Sequence, residues 1–574
     1  MKRIFLLATL FAGIQCSMLT AQKAPRWLEK AQKAMLTVET YDAGGHVRRG
    51  NGFFTGENGE AVSDYALFDG AASAFVTDAD GRKMPVTHVL GADDMYDVIH
   101  FRVTVPRNTP YLQSADALPP AGSEAYTLPP VAHAGEPFVR AAITEVSKIR
   151  ESYGYYKIDA PLPAAWISVP LLTPDGKVFA MTQADASGKN KTFGISVPYV
   201  QHIRIGSMDL WNKTYTSLGI RKAWPPTQQD AQVALMLQAS QQDAPAYLET
   251  LNDYIVHFPR SYDGYAKRAS HRAHFRNELA ATEAERQQML ALAAEDMTAA
   301  HKYADNEAEA YFDRASLIYA VATGDSAVLP DGWNMDAASE YLQRAISADN
   351  KPAYYLLEGN IAFSQEDYEK AFRSYAIVNQ SAFASSASYY MAAKARQQMP
   401  GHNPGEVITL LDSAILKSLP SEALPYLEEC AGLKMDAGMY EAAVKDYDQC
   451  YSLTAGNVSD AFYYLREQAK FRSGNLDGAL TDIAAAVRMQ PDNAVYHAEM
   501  ASVYLRRQEP ALAQECVEKA LAIDPDFASS YRLLGVCYLR QEKKDEACIA
   551  FRKAEERGDP VVKKLIRENC GETK

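Results

Sequence analysis

Apolar and polar positions follow two different rhythms along this chain. Between about residues 23 and 205, hydrophobic residues come in short runs broken by Gly, Pro, Asn and Asp, as around Gly52, Phe53 and Phe54, at 73–76 and at 155–158. Runs of that length with such punctuation predict strands joined by turns, and so many in series predict an all-β barrel domain. Beyond about residue 228 the rhythm becomes helical and recurs. Ala479, Ala513 and Ala547 lie 34 residues apart, as do Ala486, Ala520 and Ala554, while Tyr504 pairs with Tyr538 and Pro491 with Pro525. This period predicts hairpins of two helices: small residues let the backbones approach, aromatic residues fill the gap to the next pair, and proline ends the second helix. One pair cannot bury its own apolar face, so the units must stack and continue upstream.

The run Tyr531, Leu534, Gly535, Tyr538, Ala547, Phe551 and Ala554 resembles the tetratricopeptide repeat almost position for position. Gly438, Tyr440, Ala443, Tyr447 and Cys450 repeat its second-helix half, as do Tyr368, Ala371 and Tyr375. An all-α solenoid of about seven or eight helix pairs is expected over residues 228–565, followed by a tail over 566–574. The resemblance implies a groove lined by the first helix of each pair, where an extended peptide or a partner helix would lie. Candidate binding residues on that face are Arg472, Arg506 and Arg540, which share one repeat position, together with Tyr464, Leu505 and Leu539. The guanidinium groups would suit carboxylates; the competing reading is a solvated edge for the arginines and inter-repeat packing for the others. The Lys and Asn residues with which some relatives clamp a terminal carboxylate are absent, for Tyr464, Ala498 and Arg532 stand at one clamp position and Gln468, Ser502 and Val536 at the other.

In the β-rich part, Gly50-Asn51-Gly52-Phe53-Phe54, Gly59-Glu60-Ala61-Val62-Ser63 and Phe193-Gly194-Ile195-Ser196-Val197-Pro198 resemble strands of the HtrA or Do class of trypsin-like serine proteases. The resemblance implies a trypsin-like double β-barrel over 23–205 and a catalytic triad, so each triad position is open to inspection. The histidine position reads Ala66, within Ser63-Asp64-Tyr65-Ala66-Leu67-Phe68. The aspartate position is kept as Asp97, a carboxylate with no imidazole to orient. Anchoring on Pro170-Leu171 places Ile167 where the serine belongs, with Ser168 and Val169 replacing the glycines that would turn backbone amides toward an oxyanion. Base and nucleophile are both substituted, which points to a pseudoprotease. The alternative is a serine endopeptidase with non-standard catalytic residues, built on Ser168 and one of His46, His88, His100 or His133, whose repeats recruit substrate.

Other features set the context. Lys2 and Arg3, an apolar stretch over 4–14 and Ala21 predict an export signal over 1–21 and hence a periplasmic or envelope-associated protein. No later stretch is long and apolar enough to span a bilayer. A formal net charge of −14 argues against nucleic acid as a partner. Cys430, Cys450, Cys516, Cys537, Cys548 and Cys570 follow no metal-ligand spacing; buried thiols are expected, with any disulfide incidental, and no metal or cofactor is implied. Residues 206–227, with Trp211, Trp224, Pro225 and Pro226, predict a semi-rigid linker packed on one neighbour. Together these features predict an exported protein-binding scaffold with a protein or peptide in its groove.

Overall fold

A computed structural model describes residues 25–185, 191–324 and 328–571; the expected export segment lies outside them. The chain divides into two compact units, the first ending at Thr282 and the second beginning at Glu283.

The first unit opens with twelve strands in two closed antiparallel barrels. Barrel one comprises β1 (Met35–Asp42), β2 (Val47–Phe54), β3 (Glu60–Ser63), β4 (Ala71–Asp78), β5 (Lys83–Asp93) and β6 (Val98–Val103). Barrel two comprises β7 (Glu124–Thr127), β8 (Val139–Ile149), β9 (Tyr153–Ile158), β10 (Pro170–Leu172), β11 (Val178–Gln183) and β12 (Thr192–Ser196). The strand order is β1-β2-β3-β6-β5-β4 in the first and, read from β7, the same order in the second. Closure leaves no unpaired sheet edge, so strands this short hold together without a covering layer. This is the trypsin-like architecture that the resemblance implies.

Inward and outward positions alternate where one face of a strand meets a core. In β9, Gly154, Tyr156 and Ile158 are buried while Tyr153, Tyr155 and Lys157 are half-buried. Barrel one packs Leu36, Val38, Phe54, Phe68 and Phe101, and barrel two packs Ile143, Tyr156, Leu171 and Phe179. A third cluster, with Met35, Phe53, Val62, Trp166, Val169 and Val197, joins them. Strand β2 lies close on β3 because Gly52 has no side chain: a Cβ there would sit 2.6 Å from the carbonyl oxygen of Val62.

After β12 the chain returns to barrel one. The amide of Val89 in β5 donates to the Arg221 carbonyl at 2.8 Å, and the amide of Ala223 donates back to Val89 at 2.8 Å. Of the two linker tryptophans, only Trp224 is held, its Nε1 donating to Asp253 at 3.0 Å and its ring lying edge-on to Tyr254; Trp211 remains exposed. Asp253 and Tyr254 belong to helix Ala244–His257, which follows Gln228–Ala239 and precedes Tyr262–His274 in this unit.

The second unit is helical. Hairpins run from Glu307–Ala322 with Met335–Ala348, through Pro352–Ser364 with Tyr368–Asn379, Ser386–Gln398 with Pro404–Lys417, Leu424–Asp436 with Tyr440–Leu453, Asp460–Ser473 with Leu476–Met489 and Ala494–Arg506 with Pro510–Ile523, to Ala528–Arg540 with Lys544–Glu556. The recurring alanines 479, 513 and 547 are fully buried, as are 486, 520 and 554. The reason for glycine in the first helix is equally direct: a Cβ on Gly535 would lie 2.4 Å from Phe551 Cε1, and one on Gly359 would lie 2.5 Å from Tyr375 Cε1. In both hairpins an aromatic ring of the second helix occupies the space that the first leaves open. A last helix, Val562–Asn569, closes the unit, and Cys570 just beyond it forms a disulfide with Cys548. Among the described residues, the other cysteines, Cys430, Cys450, Cys516 and Cys537, are free and buried.

Candidate functional site

The cleft between the barrels brings together the residues singled out from the sequence. Short helix Tyr65–Phe68 starts at Asp64, whose Oδ2 accepts from the Leu67 amide at 3.2 Å as a helix cap. Ala66 is exposed on that turn, and its amide donates to Asp97 Oδ1 at 2.7 Å. The Asp97 carboxylate is thus engaged by backbone. Burial raises its pKa above the ordinary carboxylate value and the nearby Asp64 charge adds to this, while the amides of Ala66 and Tyr65 pull it down.

On the opposite wall, the segment before β10 carries Ile167 and Ser168. Asn51 of β2 fastens it across the cleft, its Nδ2 donating to the carbonyls of Ala165 and Ile167, both at 2.8 Å. Ile167 is half-buried and lines a cavity of about 270 Å³ with Leu162, Trp166, Thr182 and Lys191. Ser168 is fully buried, and its Oγ donates to Asp64 Oδ1 at 2.7 Å. Its backbone has φ 61°, a left-handed conformation that glycine adopts without cost and L-residues adopt at about 1 kcal/mol or more. The bend that a glycine would make is therefore retained with a side chain added.

Among the described residues, none of His46, His88, His100 and His133 is hydrogen-bonded to Ser168. His46 pairs with Asp42 at 3.0 Å and His133 with Glu136 at 2.9 Å. His100 is buried with no hydrogen bond to either ring nitrogen, and burial pulls its pKa down to about 3, so it stays neutral. Burial also lowers the pKa of His88. The one hydrogen bond of the Ser168 hydroxyl is donated to a carboxylate, with no imidazole between.

The repeat-face candidates are distributed differently. Arg472, Arg506 and Arg540 are exposed at the C-terminal ends of their helices. Arg506 lies over the Phe471 ring at 4.7 Å and donates to the Phe471 carbonyl at 2.7 Å, while Arg472 lies 5.7 Å from the Tyr440 ring. Two of the three guanidinium groups therefore lean on the preceding repeat. Leu505 and Leu539 are partly buried against the hydrophobic clusters of their repeats, and Tyr464 packs on Tyr496 with ring centroids 5.5 Å apart.

Polar clusters that the sequence reading did not single out lie deeper. Arg466 makes a bidentate pair with the buried Asp482, at 2.8 and 2.6 Å, and Lys470 joins it at 2.8 Å. Asp412, Cys430 and Asp446 converge closely enough to suggest a cation site, yet Lys434 places its ammonium 2.8 Å from each carboxylate. Burial pushes the Cys430 thiol up to about 12. Glu467 and Glu499 approach one another through Gln468. The available signal was a charged or amide residue at a helix position otherwise occupied by small apolar groups, and it does not name the partner.

Residues 498–561 match the tetratricopeptide repeat family. The chain is 25% identical over 223 residues to human Superkiller complex protein 3, covering 37% of this chain and 14% of that protein. It is 30% identical over 91 residues to Small glutamine-rich tetratricopeptide repeat-containing protein 2 of Saccharomyces cerevisiae, covering 16% of this chain and 26% of that one. The chain thus spans about a quarter or less of the length of these relatives. Among solved structures, the HtrA-type protease AlgW with a tripeptide is similar at 15% identity and a TM-score of 0.27, covering 32% of this chain and 62% of that one. A serine endoprotease from Yersinia pestis is similar at 14% identity and a TM-score of 0.27, covering 33% and 65%. Nothing about the cleft chemistry is carried over from these neighbours. The chain carries tetratricopeptide repeats in its helical part, behind a pair of barrels with trypsin-like architecture.

Proposed function

We propose that this protein is an exported, non-catalytic adaptor, whose tetratricopeptide array holds a protein or peptide partner on its first-helix face and whose trypsin-like barrels serve as a binding or supporting body. The observation that carries this reading is the state of Ser168. The hydroxyl next in sequence to the family's nucleophile position, that of Ser168, is buried, is bonded to Asp64 and, among the described residues, is hydrogen-bonded to no imidazole, while Asp97 is occupied by the amide of Ala66. A serine nucleophile needs a base within hydrogen-bond reach and an open approach for substrate. Ser168 has neither. Export is supported by the basic and apolar start of the chain and by the Cys548–Cys570 disulfide, a bond that persists in oxidising compartments. Among the described residues, no helix is long and apolar enough to cross a membrane.

The test is a fluorophosphonate probe and a casein digest applied to purified protein lacking residues 1–21. The expected outcome is no labelling and no cleavage. Labelling that disappears in Ser168→Ala would overturn the reading in favour of a serine endopeptidase whose repeats recruit substrate.

A further inference from the structure

Helices Asp460–Ser473 and Ala494–Arg506 are the first helices of successive hairpins, and between them lie two carboxylates that share one amide. Glu467 is 0% exposed. Its Oε2 accepts from Gln468 Nε2 at 2.7 Å, whereas its Oε1 is buried without any hydrogen-bond partner. The same Gln468 nitrogen reaches Glu499 Oε2 at 3.3 Å, so a single neutral amide bridges acids from neighbouring repeats.

The surrounding charges do not compensate Glu467. On its own helix, Arg466 and Lys470 are both committed to Asp482 of Leu476–Met489, and Asp482 adds further negative potential at Glu467. Tyr464, one turn earlier, is held neutral by burial and by the charges of Glu499 and Glu467. Arg472 and Arg532 act favourably on Glu499, but Arg532 is also paired with Asp559 at 2.9 Å. A buried carboxylate in such surroundings is far less costly as the neutral acid. Burial, then repulsion from Glu499, pushes Glu467 up to about 8, and burial raises Glu499 as well.

We propose that Glu467, Gln468 and Glu499 form a proton-sensitive joint between two repeats, closed while Glu467 carries a proton and loosened when it ionises against Glu499. This goes beyond the adaptor reading and does not depend on it, since the device lies in the array whatever the array binds. The direction in pH follows from linkage. The folded joint keeps a proton that the unfolded chain, titrating near 4.5, has released, so this contribution to stability is complete below about 4.5 and declines until pH passes about 8.

Hydrogen exchange on the full chain between about pH 5 and 9, corrected for intrinsic rates, tests the joint in peptides covering 460–473 and 494–506. One proton linked to opening changes protection by up to about tenfold per pH unit within the window. Wild type should lose protection at up to that rate, and Glu467→Gln, which is permanently neutral, should be flat and at pH ~8 at least as protected. Glu499→Gln removes the like charge and should move the wild-type decline to lower pH. A Glu467→Gln profile that tracks wild type, or a flat wild-type profile, overturns the proposal. If Glu467→Gln loses its helical signal, Glu499→Gln decides: an unshifted decline overturns it.

Discussion

The Asp97 carboxylate accepts from the Ala66 amide at 2.7 Å and ties helix Tyr65–Phe68 to the start of β6. Removing it should take away the acceptor shared by the Ala66 and Tyr65 amides. We expect Asp97→Ala to weaken the barrels by about 1–2 kcal/mol, seen as earlier hydrogen exchange in peptides spanning residues 60–70 during denaturation. Asp97→Asn keeps a carbonyl acceptor and relieves a carboxylate whose pKa burial has raised, so it should be close to neutral at pH 7. Equal losses in both variants would mean that the charge, not the acceptor, holds the turn. The sequence offers Ala66 and Ile167 for inspection, because each lies in a short string of neighbours that resembles a family motif. It did not expose the bond from Ser168 to Asp64, whose partners are 104 residues apart and meet only when the barrels close.

At the scale of the helix hairpin, packing is decided by where a side chain is forbidden. Gly535 and Gly432 are both glycines inside first helices, but a Cβ at Gly535 would strike Phe551 at 2.4 Å whereas one at Gly432 would meet nothing within 4 Å. Gly535→Ala should therefore destabilise the array by about 1–3 kcal/mol through overpacking. Gly432→Ala should instead stabilise it by up to about 1 kcal/mol, since alanine is the better helix former. Thermal melts followed by far-UV circular dichroism distinguish the two, and shifts of the same sign would show that the hairpin relaxes around an added methyl. These elements were legible beforehand because each hairpin repeats the same local contact at a fixed spacing. The Arg466–Asp482 pair and the Glu467–Gln468–Glu499 bridge were not, since a charged residue in the sequence carries no mark of the neighbour that will bury it.

For the whole molecule, the C-terminal disulfide has the clearest consequence. In a stacked array each unit leans on its neighbours, and the last must be sealed on its outer side. Here helix Val562–Asn569 packs Val562 and Leu565 against Phe551 and Ala554, and Cys570 is bonded to Cys548 across 22 residues. Closing a loop of that length is worth about 3 kcal/mol through the entropy of the unfolded chain. Cys570→Ser, or reduction, should let this helix fray and open Lys563, Lys564 and Arg567 to trypsin, while the upstream hairpins keep their protection. Melting of the entire array in a single step would contradict that local picture. The six cysteines from Cys430 to Cys570 allow about fifteen complete pairings, and their spacing chooses none of them.

The sequence by itself determined the class of each part: strands with turn residues for the barrels, and a 34-residue recurrence of small and aromatic positions for the helix hairpins. Both are local regularities, imposed at every turn or every repeat by the same backbone geometry, and so they survive in one dimension. Only the tertiary structure decided that Ser168 donates a hydrogen bond to Asp64, that Arg506 leans on Phe471, that Cys548 takes Cys570, and that Glu467 loses water with one amide for company. Those outcomes depend on which desolvated groups arrive side by side, a property of the closed barrel or the stacked repeat and of no segment alone.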